Sequence, residues 1–189
     1  GDDALITGFD TGPGNTLLDA WIGARRSLQY DEDGQWAAAG TVVDDLLDEL
    51  ISDEYFELPP PKSTGFERFN LEWLSASGVD NHDPCDVQAT LSELTAISVA
   101  AAIDRYAPET SETYVCGGGV HNRDLMQRLR RHLSKSAVES TLAVGLDPDW
   151  VEAAAFAWLA MRTLNKKTGN LPSVTGASHK VILGALHYA

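Results

Sequence analysis

The sequence predicts an α/β fold with a partly parallel sheet, and three observations carry the prediction. Two β-prone runs each end at a glycine-rich turn, a helical pattern begins directly after each turn, and strands alternate with helices along most of the chain. In folds of this class ligands gather at the carboxyl ends of the strands, which is where both turns belong.

Ala4 to Phe9 reads as the first strand. It runs into GFDTGPGN, after which Asn15 is the expected N-cap of a helix with Leu17, Leu18, Trp21 and Ile22 at three-and-four spacing. Asp31 to Asp33 reads as a solvated loop, and Val42 to Ile51 as a second helix. The prolines of LPPPKSTG exclude regular structure there and suggest a hinge or surface elbow. From Asp86, the residues Val87, Leu91, Leu94 and Ala101 mark one face of a long helix with an acidic first turn. TYVCGGGVHN then repeats the strand-to-helix pattern, with Asn122 capping a helix whose inner side carries Leu125, Met126, Leu129 and Leu133. Val138 to Val144 is the next expected strand, Trp150 to Leu164 a strongly apolar helix, and GNLPSVTGAS a polar loop.

Composition narrows the function. A chain of 189 residues that is 43% hydrophobic can fill one sizeable core. With 14 basic against 28 acidic side chains, a net charge of −14, nucleic acid is excluded as an expected partner. Cys85 and Cys116 are too few for a disulfide framework or a zinc site; both are expected to be packing residues, in a reducing compartment. No run has the length of a membrane span and no secretory signal stands at the start, so no membrane partner and a cytoplasmic location are expected. The chain starts without Met and enters strand-like sequence at once, as a fragment or processed piece would.

Asp10 stands at the end of a strand, beside glycines that let a ligand approach and a helix start that offers free amides. It is positioned either to take a proton from water or a hydroxyl, or to bond the amides of its own turn. Gly117, Gly118 and Gly119 expose backbone on which adenine, ribose or phosphate can lie, or else make a tight turn against the sheet. Asn122 stands where a dinucleotide fingerprint would have its third glycine, so that motif is absent. Glu152 is the one charged residue between Trp150 and Met161, with Phe156 and Leu159 on its face. Burial would oblige it to find a cation, a backbone donor or a ligand hydroxyl, unless nearness to the helix start keeps it wet. Lys62, Ser63 and Thr64 offer an anion contact or a solvated loop, and His121 reads as a surface or capping residue. There is no P-loop, metal-ligand motif or nucleophile triad.

Taken together, GFDTGPGNTLLDAW, PPPKSTGFERFN, DVQATLSELTA, VCGGGVHNRDLMQRL, EAAAFAWLA and GNLPSVTGAS resemble the C-terminal half of the anhydro-N-acetylmuramic acid kinases, over nearly the whole chain. The resemblance implies one actin-like (ribonuclease H-like) lobe, a mixed sheet flanked by helices, from a two-lobe sugar kinase of the Hsp70 and actin superfamily. Residues 1–189 would form the C-terminal lobe, with ATP and Mg²⁺ held between it and an N-terminal lobe missing from this sequence. It further implies phosphorylation of 1,6-anhydro-N-acetylmuramic acid while water opens its anhydro ring, giving N-acetylmuramic acid 6-phosphate and ADP in peptidoglycan recycling. By the same resemblance Asp10 is the general base, Gly117, Gly118, Gly119 and Asn122 serve the adenosine, and Glu152 lines the sugar side. No metal ligand is assigned and a homodimer is left open. Lacking the glycine-rich phosphate loop of the other lobe, the chain alone is expected to be inactive. A non-catalytic sugar- or nucleotide-binding module and a related kinase of another sugar stand as alternatives.

Overall fold

The computed structural model describes residues 6–187. Five helices precede the long one: α1 (Thr16–Arg26), α2 (Gln35–Ala39), α3 (Asp44–Ile51), α4 (Glu54–Glu57) and α5 (Leu71–Ala76). Then follow α6 (Pro84–Tyr106), β1 (Glu112–Val115), α7 (Arg123–His132), β2 (Ala137–Ser140), α8 (Val151–Leu164) and α9 (Pro172–Thr175).

The order β1–α7–β2 is a parallel crossover unit, with Glu112 opposite Ala137 and Val115 opposite Ser140. This bears out the α/β class in its coarse form, but the sheet is narrower than expected. Among the described residues it has two parallel strands and is not mixed. Ile6 to Phe9 join no ladder, and the other part of the expected first strand, Ala4 and Leu5, lies outside the described residues. β2 stops at Ser140, whose hydroxyl accepts from Leu142 N, so Thr141–Val144 turns into a single 3₁₀ turn where strand was expected. GNLPSVTGAS is not all loop, for it contains α9.

Helix α6 organises the rest. Asp83 caps it by accepting from Cys85 N, Pro84 occupies the first turn, and every residue from Val87 to Ala96 is buried. The one-face pattern seen in sequence therefore understates it: α1, α2, α3 and α7 all pack on this helix, whereas Ala101, expected inside, is exposed. Val87, Leu91 and Leu94 join a core with Leu17, Trp21, Leu50 and Phe69, while Ala96 and Ala100 join a second one with Met126, Leu129 and Val138.

Because α6 is covered all round from Val87 to Ala96, its polar side chains there need protein partners, and all but Gln88, whose side-chain amide has none among the described residues, find them. Thr95 donates to Gly14 O at 3.0 Å, Thr90 accepts from Val43 N at 3.0 Å, and Ser92 donates to Asp124 at 2.7 Å. Glu93 takes Arg128 at 2.6 Å, Arg131 at 2.8 Å and His132 at 2.6 Å. Burial pushes the Glu93 carboxyl up, but the hydrogen bonds from Arg128 and His132 and the two guanidinium charges outweigh it and hold it below its ordinary range.

A depressed carboxyl contributes stability above its unfolded value, about 4.3, and loses it as pH falls through the lowered folded value. The urea midpoint is accordingly expected to drop below pH ~4.3 and to depend less on pH in Glu93→Gln. Arg128→Met, which removes the buried partner shared by Glu93 and Asp124 and leaves Glu93 only Arg131 and His132, is expected to cost about 1–3 kcal/mol in urea denaturation at pH 7.

Candidate functional site

Asp10 lies in a turn pinned from several sides. Its amide donates to Lys62 O at 3.2 Å, and its carbonyl accepts the Tyr55 hydroxyl at 2.8 Å. Its carboxylate Oδ2 accepts from Ser63 Oγ at 2.7 Å and from Thr64 N at 2.9 Å. Among the described residues nothing donates to Oδ1, and Asp10 is exposed. The carboxylate thus bonds a distant loop and not the amides of its own turn.

Gly12 explains why the turn comes so close to α6: a Cβ there would lie 3.0 Å from the Phe56 ring and 3.1 Å from Ser98 Oγ. On the other side Ser173 Oγ donates to Ile6 O at 2.7 Å. Segments 8–15 and 58–65, far apart in sequence, therefore meet at Asp10, and segment 170–176 packs just before it, against Ile6 and Gly8.

Lys62 does not face an anion. Its ammonium donates to Tyr55 O at 2.9 Å and Phe56 O at 3.4 Å, the carbonyls at the end of α4, and lies over the Tyr55 ring. Burial, followed by the charge of Arg105, lowers its pKa.

The second turn borders a pocket of about 360 Å³ lined by Asn15, Leu18, Asp19, Tyr30, Gly118 and Asn122 among others. Gly117 has φ 72°, a backbone that favours glycine, and its amide donates to Pro148 O at 3.0 Å. Asn122 caps α7 as expected, accepting from Leu125 N at 2.9 Å. Asn15 precedes α1 as expected but makes no side-chain cap; its amide side chain lies beside Gly119 instead. Asp10 and Asn15 bound one five-residue step, so their backbones are no more than about 18 Å apart.

Glu152 is exposed in the first turn of α8, where the helix dipole favours a carboxylate. Its expected need for a partner falls away, because α8 has no buried residue: Phe156 is 64% and Leu164 65% exposed. His121 pairs at the surface with Asp149 at 2.8 Å. Cys85 is half-buried, but Cys116 is exposed and not a packing residue.

Sequence reasoning missed the pocket's acidic wall. Asp31 is buried, not solvated, and accepts from Trp36 N and Ala37 N at 2.9 Å, capping α2. Asp19 follows Asn15 by one helical turn, the one sequence signal that it shares Asn15's face. Burial, then the charge of Asp31, raises its pKa.

The six motifs are thus assembled on a helix-rich α/β frame, and comparison with known proteins identifies the class to which that frame belongs. The family model described as anhydro-N-acetylmuramic acid kinase matches residues 2–189. Proteins named anhydro-N-acetylmuramic acid kinase from Coxiella burnetii and Psychrobacter cryohalolentis are each 50% identical, covering 96% and 97% of this chain but 49% and 45% of their own lengths. One from Chromohalobacter salexigens is 48% identical over 99% of this chain and 52% of its own length. The chain belongs to the anhydro-N-acetylmuramic acid kinase family. It spans about half the length of the curated relatives it matches. Asn122→Ala is expected to cost about 1 kcal/mol through loss of the α7 cap, read by urea denaturation.

Proposed function

We propose that residues 1–189 form the C-terminal lobe of an actin-like, two-lobe kinase. This kinase converts 1,6-anhydro-N-acetylmuramic acid, ATP and water to N-acetylmuramic acid 6-phosphate and ADP, a cytoplasmic step of peptidoglycan recycling. The observation that carries this reading is the Asp10 carboxylate, bonded through Oδ2 and open at Oδ1, at the end of a turn whose other end borders the pocket. Oδ1 takes a proton from the water that attacks the anomeric carbon; the C1–O6 bond breaks, and the freed sixth-position oxygen receives the γ-phosphoryl group as ADP leaves.

Adenosine occupies the pocket against Gly117, Gly118, Gly119 and Asn122, two of which line it. Glu152, exposed at the start of α8, faces the sugar side. For Mg²⁺ the described residues gather no group of three His, Cys, Asp or Glu side chains able to hold an ion, so no step is routed through the metal. No helix described is long and apolar enough to cross a membrane.

The missing half has a surface to occupy. Phe156, Trp158, Met161 and Leu164 of α8 lie exposed, and Phe156, Leu159 and Leu164 border with residues 183–186 an apolar groove of about 500 Å³. Contiguous apolar area of this kind marks an interface. The occupant is the N-terminal half, because the chain accounts for only about half of its relatives' length.

In the complete kinase Asp10→Asn is expected to lower kcat by about 10²–10⁴-fold with folding unchanged, and unaltered turnover would refute the base. This chain alone is expected to show no turnover in a coupled ADP-release assay. Phe156→Asp combined with Leu164→Asp is expected to lower the melting midpoint of the complete kinase while leaving that of this chain unchanged.

A further inference from the structure

We infer that Ser63 is a positioning residue for the Asp10 carboxylate, its hydroxyl fixing which oxygen faces the reacting water. The inference rests on the reading of Asp10 as the base. An exposed carboxylate rotates freely about its last bond and presents either oxygen to solvent. At Asp10 that freedom is removed from one side only. The Ser63 hydroxyl at 2.7 Å and the Thr64 amide at 2.9 Å both donate to Oδ2, so Oδ1 is left as the oxygen that meets water.

The donors are themselves held. Lys62 ties the loop to the α4 carbonyls, and its own carbonyl accepts the Asp10 amide at 3.2 Å. The Tyr55 hydroxyl, from the same helix, bonds the Asp10 carbonyl at 2.8 Å. Backbone and side chain of Asp10 are thus referred to one anchor, α4, and small errors of placement in a proton-transfer step carry large penalties in rate. Thr64 contributes through its amide, which substitution does not remove. Ser63 contributes through its side chain, which makes it the residue that can be tested.

Ser63 is exposed, so Ser63→Ala opens no cavity and leaves folding intact. In the complete kinase it is expected to lower kcat by about tenfold, with KM for the anhydrosugar and for ATP unchanged. Ser63→Thr, which keeps the hydroxyl, restores kcat. In an Asp10→Asn background Ser63→Ala causes no further loss, because its effect passes through the carboxylate. Hydrogen exchange at the Thr64 amide, read on the same proteins, quickens in Ser63→Ala as the carboxylate is freed. Wild-type kcat in Ser63→Ala, failure of Ser63→Thr to rescue, or an undiminished loss in the Asp10→Asn background overturns the positioning role. Full activity in Asp10→Asn alone instead overturns the base itself.

Discussion

Burial of the Val87–Ala96 stretch of α6 on every side is the constraint on which the remaining structure depends. A helix with one wet face can carry polar residues at no cost, but Thr90, Ser92, Glu93 and Thr95 lie inside and each needs a partner. Those partners are the turn before α1, the segment entering α3, and α7. Satisfying α6 therefore fixes the position of the Asp10 turn and of the helix behind the glycine-rich turn together. The two hydrophobic cores meet along the same helix, so neither turn can shift without disturbing α6.

How much of this was legible in the sequence depended on the range of the interactions. α1 and α7 were found because their apolar spacing is local, and Asn122 because a cap acts within one turn. α6 was found, yet its two-sided burial was not, because small polar residues at 90, 92 and 95 look like a solvated face until their partners are known. Asp31 resembled its acidic neighbours, although its carboxylate is taken up by amides five and six residues on. Of the two readings open for Glu152 the structure takes the wet one at the helix start, because apolar neighbours on a helix imply burial only if something covers them.

The site shows the same division. Asp10 and the glycine-rich turn were visible as residue types at the ends of apparent strands. The contacts that give Asp10 its orientation join it to Ser63 and Thr64, more than fifty residues away, and no local pattern reports them. Lys62 was visible as a cation, but its ammonium is occupied by the α4 carbonyls and the loop presents a hydroxyl and an amide in its place. Family resemblance joined the motifs across these separations, and family membership explains why they occur in one chain.

The acidic wall of the pocket has a consequence for kinetics. Asp19, Asp31 and Asp33 border a pocket on a chain whose net charge is −14, so a polyphosphate approaches this face against a repulsive field. Salt shortens the reach of that field to about 8 Å at physiological strength, so any anion approaches this wall more readily as ionic strength rises. On the proposed function, the attraction for a nucleotide's phosphates comes from opposite this wall, and the acidic side holds the end of the molecule that carries no charge.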